Sequence, residues 1–249
     1  MKLLDTDQYR FVPGGEPYSW GVVALPGHEV VSVALSRPLP YAEGFELADR
    51  LLAARGRPPT ALCGVELRSP GSFSIEGFAA FNDGYRGHLA ARGLLDGDHN
   101  PVARTNVVPV VGGPDEVVMA GFSFTEATET DAPATFLVAG GAEFRDGRRD
   151  RDAIIRRGET SPEALAEKAA YVLDLMDRRL EALGCTPDAV TSVHVYSALP
   201  IHGLLPTIVE RFPVAGTQGI RGVYARPPIA ELEFEMDVRG VRRELRLQP

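Results

Sequence analysis

Apolar residues in the first half of the chain alternate between the spacing of strands and the spacing of helices. Segment 18–36 holds two apolar runs rich in β-branched residues on either side of Pro26-Gly27-His28, which is the pattern of a β-hairpin. Helical spacing then predicts a helix from about Ala42 to Arg55 and a second amphipathic helix that starts near Ser74. The remaining apolar runs predict strands at 60–67, 104–111 and 116–124.

The same order of elements starts again after a polar segment, 125–133, which has no periodicity and predicts a linker. A strand is expected at 133–144, and the charged segment 145–160 is expected to be a solvated loop. The clearest element is a helix from Ser161 to Leu183, because Ser161 can cap its first turn and Gly184 follows its last apolar residue. The remaining patterns predict a strand at 189–199, a short helix at 203–212 and strands at 219–225 and 230–247.

Each half therefore has the order β-β-α-β-α-β-β. This order predicts an α+β fold that is repeated, with domains at residues 1–125 and 126–249 and with the helices packed on one face of each sheet. A length of 249 residues is suitable for two such domains.

The composition argues against several classes of function. A content of 44% hydrophobic and 24% charged residues is that of a globular protein, and a net charge of −8 argues against a broad nucleic-acid or anionic-membrane surface. The two cysteines, Cys63 and Cys185, and the five histidines show no metal-ligand spacing. No apolar run approaches the roughly 18 to 20 residues of a membrane span. We therefore expect a cytoplasmic protein with no metal and no cofactor.

Four motifs of the first half occur together in a specific order and spacing. They are Pro17-Tyr18-Ser19 at the start of a strand, the strand Ala61 to Leu67, the helical segment Phe78 to Tyr85, and Arg104-Thr105-Asn106-Val107. Over about residues 16–125 they resemble the RidA (YjgF) superfamily of imine and enamine deaminases. This resemblance implies a chorismate-mutase-like fold for each half, and a homotrimer or a multiple of trimers.

The second half resembles the superfamily less closely. Ala225-Arg226-Pro227-Pro228 and the segment Leu232 to Glu235 look like the end of the family's domain. The carboxylate-binding arginine of the family can be placed only on Arg221. The acid of the last strand is replaced in the first half by Ala120 and present in the second as Glu233. The halves therefore look complementary, with Glu233 serving a cleft that Arg104 anchors.

Arg104 and Asn106 are the strongest candidates for substrate binding. The planar guanidinium of Arg104 can hold a carboxylate through two parallel hydrogen bonds. Asn106 lies two residues further along the strand, so it faces the same side and can bind the amino group or a second carboxylate of the substrate. The family's helical motif adds Asn82 to the substrate-binding set.

Three further residues are candidates for the site. Tyr18 can donate its phenolic hydrogen to a carboxylate or orient a water molecule. Glu233 is the candidate proton shuttle, although acids that alternate with apolar residues at 232–237 are also typical of a half-exposed strand with a solvated acidic face. His202 lies at a strand-to-helix turn and is a secondary candidate for substrate binding.

These residues predict an enzyme that hydrolyses an enamine or imine carboxylate and releases ammonia and a 2-oxo acid. The duplication and the length look most like the two-domain deaminases of 2-aminomuconate and 2-amino-5-chloromuconate. The alternative is a non-catalytic RidA-like protein that binds a small carboxylate or a partner, which the missing acid at Ala120 favours. An unrelated α+β hydrolase is disfavoured because the chain has no GxSxG motif.

Overall fold

The computed structural model describes residues 2–14, 18–145 and 150–249. Its strands, in chain order, are β1 (Leu4–Asp5), β2 (Tyr9–Val12), β3 (Gly21–Ala24), β4 (His28–Pro40), β5 (Leu62–Arg68), β6 (Ala103–Pro109), β7 (Val118–Ala127), β8 (Phe136–Ala142), β9 (Ser192–Ser197), β10 (Arg221–Val223), β11 (Ala225–Arg226), β12 (Phe234–Gly240) and β13 (Arg243–Leu247). Its α-helices are α1 (Tyr41–Ala54), α2 (Ile75–Ala90), α3 (Pro162–Leu183), α4 (Leu205–Arg211) and α5 (Val214–Gln218). The predicted α+β class is confirmed.

The strands form two sheets. The seven-stranded sheet has the order β1-β2-β3-β8-β12-β9-β10, and the six-stranded sheet has the order β11-β6-β5-β7-β4-β13. Strands near both ends of the chain pair with strands of the other half. β3 pairs with β8, so that Gly21 lies opposite Val138, and β13 runs parallel to β4, so that Arg243 lies opposite Val31. The division at residues 1–125 and 126–249 stays a prediction.

The predicted hairpin around Pro26-Gly27-His28 is wrong. The chain does turn there, with Gly27 at a φ of 75° and the His28 N–H donating to Leu25 O. However, β3 and β4 on either side of the turn belong to different sheets. A turn signal shows where the chain reverses, but it does not determine which strands pair.

Helix boundaries follow the local signals. α2 starts after Ser74, whose Oγ accepts a hydrogen bond from the Gly77 N–H at 3.0 Å. α3 starts after Ser161, whose Oγ accepts from the Ala164 N–H, and it ends at Gly184 in the left-handed conformation with a φ of 72°. Among the described residues, no helix has the length and apolar character needed to cross a bilayer.

The fold has four layers, with the two sheets packed against each other and helices on the outer face of each sheet. Phe234, Met236 and Val238 of β12 pack with the apolar face of α3. On the six-stranded sheet, Val65 and Phe122 pack with α1 and α2. The facing sides of the two sheets share a third apolar cluster and several buried charged groups. Because β12 alternates, its Glu235, Asp237 and Arg239 occupy the side opposite its apolar residues.

Candidate active site

A cleft of about 120 Å³ opens where β6 of the six-stranded sheet lies near β8 and β12 of the other sheet. Its polar lining comes from both halves of the chain. The lining residues are Tyr18, Trp20, Phe78, Arg104, Asn106, Gly140, Gly141, Ala142, Phe144, Leu175, Arg179, Pro228, Ile229, Leu232 and Glu235.

Arg104 is a buried cation held by aromatic rings. Its guanidinium carbon lies 4.6 Å from the Tyr85 ring centroid and 5.1 Å from that of Tyr18, with the rings of Phe78 and Phe81 also within reach. Arg104 Nη2 donates to Asn82 Oδ1 at 2.8 Å. Arg104 Nη1 is buried without a hydrogen-bond partner among the described residues. Since buried donors are almost always paired in a folded protein, this atom is a candidate contact for a bound ligand or water molecule.

Asn106 presents a second donor of the same kind. Its Oδ1 accepts from Ser69 Oγ at 3.0 Å, which fixes the orientation of the amide. Asn106 Nδ2 is buried and has no hydrogen-bond partner in the described part of the chain. Arg104 and Asn106 therefore offer two unsatisfied donors from one face of β6, as the period of two predicts.

Glu235 supplies the acid of the cleft. The residue is 4% exposed, and burial raises the pKa of its carboxyl well above the usual range. The carboxylates of Asp237 and Glu143 raise this pKa further, whereas the positive charges of Arg179 and Arg104 lower it. Burial is the largest of these effects, and it favours the protonated form of Glu235, the form that can donate a proton.

A β-bulge in β8 makes room for Glu235. The pairing of β8 with β12 shifts register between Val138 and Gly141. A Cβ on Gly140 would overlap Glu235 Oε1 and crowd the Thr105 Cα, so a larger residue here would displace the Glu235 carboxyl. Arg179 of α3 holds the bulge, because its Nη1 donates to Ala139 O at 2.9 Å and to Gly140 O at 3.3 Å.

The structure does not bring Glu233 into the cleft. Its carboxylate accepts a hydrogen bond from Arg226 Nη1, and its backbone N–H donates to Glu143 Oε1 at 2.7 Å. The reason is the strand boundary: β12 begins at Phe234, so Glu233 does not follow the alternation that turns Glu235 toward the cleft. Glu143 is itself fixed by a buried ion pair with Lys168 at 3.1 Å.

The other predicted residues divide into two groups. Tyr18 lines the cleft, and Asn82 contacts Arg104 without lining it. Arg221 is exposed on β10, at the far edge of the seven-stranded sheet. His202 lines a separate hollow beside Ile201. Pro17, the first residue of the family motif, lies outside the described residues.

Sequence reasoning missed three contributors, Arg179, Gly140 and the acid Glu235, although each left a signal. Arg179 interrupts the apolar face of α3 at a helical spacing that predicts burial. Gly140 and Gly141 stand inside a strand pattern, which is typical of a bulge. Glu235 shares the acidic alternation that pointed to Glu233.

A cleft that combines buried, unpaired hydrogen-bond donors with a buried carboxyl has the groups that an enzyme acting on a small acid requires. The family model of the 2-aminomuconate deaminase CnbZ matches residues 1–245. The chain is also 41% identical over 239 residues to 2-amino-5-chloromuconate deaminase of Comamonas testosteroni, a match that covers 95% of this chain and 94% of that protein. The chain belongs to the CnbZ family of 2-aminomuconate deaminases.

Two solved structures show weaker similarity. A chorismatase is 13% identical, with 95% of this chain and 76% of that chain covered at a TM-score of 0.45. The YjgF gene product of E. coli is 17% identical, with 54% of this chain and 93% of that chain covered at a TM-score of 0.28. Family membership rests on the family model and on the Comamonas relative.

Proposed function

We propose that this enzyme hydrolyses 2-aminomuconate, or a chlorinated analogue, to ammonia and a 2-oxo acid. One observation carries the proposal: two buried donors without partners among the described residues, Arg104 Nη1 and Asn106 Nδ2, belong to residues that line the same cleft as Glu235, whose carboxyl is buried and has a raised pKa. The donors bind the carboxylate next to the amino-bearing carbon. The acid then lies beside the carbon and nitrogen atoms that exchange protons.

Binding restricts the substrate to one orientation. Arg104 is fixed by Asn82 and by the surrounding rings, so its free nitrogen is already oriented before the carboxylate arrives. The apolar lining, which includes Trp20, Leu175 and Leu232, suits a flat conjugated chain. The site therefore holds the enamine still while protons move.

Glu235 can carry each proton in turn. The protonated carboxyl first gives its proton to the enamine carbon, which converts the enamine to an iminium ion. The carboxylate then takes a proton from the water molecule whose oxygen bonds to the iminium carbon, and passes it to the nitrogen. The carbon–nitrogen bond breaks, ammonia leaves, and the new hydroxyl returns its proton to the Glu235 carboxylate as it becomes the 2-oxo group. One water is consumed for each ammonia released, and no redox change is needed.

Glu233, the proton shuttle expected from the sequence, remains the alternative acid. Its ion pair with Arg226 and its position outside the cleft lining favour Glu235 instead. Glu233→Gln is therefore the matched comparison for Glu235→Gln. We propose that turnover depends on Glu235 and only weakly on Glu233.

We propose that the two halves are divergent copies of one RidA-like domain. In the six-stranded sheet β5 and β6 are parallel, and in the seven-stranded sheet β9 and β10 are parallel. Arg104 near the start of β6 corresponds in this scheme to Arg221 at the start of β10. The substrate-binding roles of Arg221 and His202 stay predictions, attached to the second copy rather than to the Arg104 cleft.

We propose further that the chain is cytoplasmic and forms a homotrimer or a multiple of trimers. β10 ends the seven-stranded sheet, and Val111 and Tyr224 near this edge are 78% and 58% exposed. Such apolar exposure beside an unpaired strand favours contact with another copy. Light scattering at micromolar concentration should give a threefold assembly, and a monodisperse monomer would contradict it.

Ammonia release from 2-aminomuconate generated in situ tests the proposed function, with 2-iminopropanoate as a small imine for comparison. Arg104→Ala should lower kcat/KM by roughly 30- to 1000-fold, because it removes a charge-assisted contact in a desolvated site. Arg104→Lys should recover part of this loss.

Arg92→Ala is the matched control, because Arg92 also stacks on an aromatic ring, that of Phe45 at 4.8 Å, but lies outside the cleft. Binding of the dicarboxylate without any ammonia release would favour the non-catalytic alternative. Wild-type turnover in both Arg104 variants would refute the carboxylate role of Arg104.

A further inference from the structure

Thr105 lies between the two substrate-binding residues of β6 and points to the opposite side of the strand. The side chain is buried, and its hydroxyl makes two hydrogen bonds to the other sheet. Thr105 Oγ1 donates to Asp237 Oδ2 at 3.0 Å and accepts from the Gly140 N–H at 3.1 Å. One hydroxyl therefore connects β6 with both β12 and β8.

Both partners of Thr105 lie directly beside Glu235. Gly140 is the bulge residue whose missing side chain leaves room for the Glu235 carboxyl. Asp237 is two residues further along β12, on the same face as Glu235. Any shift of β6 relative to these two groups would change the distance between Arg104 and Glu235.

Asp237 is a rigid point of attachment. Its carboxylate accepts hydrogen bonds from the Tyr196 hydroxyl at 2.7 Å and from Arg239 Nε at 3.1 Å. His194 Nδ1 lies 3.1 Å from Asp237 Oδ1, and Arg239 Nη1 also donates to Glu66 Oε1 at 2.8 Å. Burial raises the pKa of Asp237, but Arg239 and the hydrogen bond from His194 outweigh it and hold this pKa well below its usual range, which favours the ionised acceptor.

We propose that Thr105 is a positioning residue for deamination, whose hydroxyl fixes the spacing between the carboxylate-binding strand β6 and the acid Glu235 on β12. This inference rests on the proposed function, because it takes Arg104 as the anchor and Glu235 as the proton carrier. Thr105 faces away from Arg104 and Asn106 and does not line the cleft. It therefore acts through the geometry of other residues and not through contact with the substrate.

Thr105→Val tests the inference, since valine keeps the shape and removes both hydrogen bonds. We expect kcat to fall by roughly 10- to 100-fold, because small misplacements of reacting groups have effects of this size. KM should change by less than about threefold, because the donors on the other face of β6 remain. Thr105→Ser, which keeps the hydroxyl, should restore most of kcat.

Thr191→Val is the matched control. Like Thr105, Thr191 uses its Oγ1 both as a donor and as an acceptor, here to Val241 O at 2.8 Å and from the Val241 N–H at 2.9 Å, but it lies outside the cleft. Both valine variants should lower Tm by similar amounts, and only Thr105→Val should lower kcat. If Thr105→Val does not fold, Thr105→Ala provides the same comparison.

Wild-type kcat in Thr105→Val, an equal loss of kcat in Thr191→Val, or a Thr105→Ser variant as slow as the valine variant would each overturn the positioning role. Failure of the proposed function gives a different pattern. In that case Glu235→Gln and Arg104→Ala themselves would keep wild-type turnover.

Discussion

Replacing Glu235 by glutamine should make the protein both less active and more stable. The carboxyl of Glu235 is buried and its pKa is raised, so the folded state binds a proton that the unfolded chain releases near pH 4.3. Stability from this group is therefore fully present below pH 4.3 and is lost as pH rises toward the folded pKa. Glutamine has the same shape and no proton to lose, so Glu235→Gln removes this pH dependence.

The size of the effect follows from linkage. Within the window between the two pKa values, one extra bound proton changes the free energy of unfolding by about 1.4 kcal/mol per pH unit. For each pH unit within this window the wild type should therefore lose about 1.4 kcal/mol relative to Glu235→Gln. For a chain of this size that difference corresponds to roughly 3 to 6 °C in Tm.

Urea unfolding at pH 5, 6 and 7 measures the difference at fixed protein concentration. The single tryptophan, Trp20, lines the cleft and reports unfolding by fluorescence. In the same buffers, kcat of Glu235→Gln should be lower by about 10²- to 10⁴-fold, the usual range for general acid–base catalysis. Parallel stability curves for the two proteins would show that Glu235 is not held protonated, and the proposed proton transfers would then be wrong.

Two further variants test the surroundings of the acid. Gly140→Ala places a methyl group where Glu235 Oε1 lies, so kcat should fall by at least about 10-fold while KM for the carboxylate substrate changes little; steady-state kinetics checks this, and unchanged kcat would contradict the bulge argument. Glu143→Gln leaves the fully buried Lys168 without its carboxylate and should cost about 3 to 5 kcal/mol in urea unfolding. The double variant with Lys168→Met should recover much of this loss, and equal stability of all three proteins would refute the assigned ion pair.

The sequence predicted those elements whose defining signals lie within one continuous segment. α3 has its cap, its apolar face and its terminal glycine within one continuous segment, and its predicted limits differ from the observed ones by one residue. The shared face of Arg104 and Asn106 follows from strand periodicity alone. These features needed no knowledge of distant contacts.

The features that sequence reasoning did not predict depend on distant contacts or on a single-residue boundary. Nothing near Pro26-Gly27-His28 indicates that β3 pairs with a strand of the second half. The choice between Glu233 and Glu235 depends on whether β12 begins one residue earlier, and the Glu143 carboxylate decides this by binding the backbone N–H groups of residues 233 and 234. The role of Thr105 depends on a sheet that only the folded protein brings close.

The crossing of strands between the halves also determines when the enzyme can become active during its synthesis. β3 can pair with β2 as soon as both are made, but its other edge has no partner until the ribosome has made β8, and β4 lacks one neighbour until β13 emerges. Such long-range pairing slows folding and leaves strand edges open in the meantime. The same arrangement means that cutting the chain after β7, between residues 128 and 133, would separate β1, β2 and β3 from the seven-stranded sheet and β11 and β13 from the six-stranded sheet. A gene split there should therefore yield activity only when both fragments are produced in the same cell.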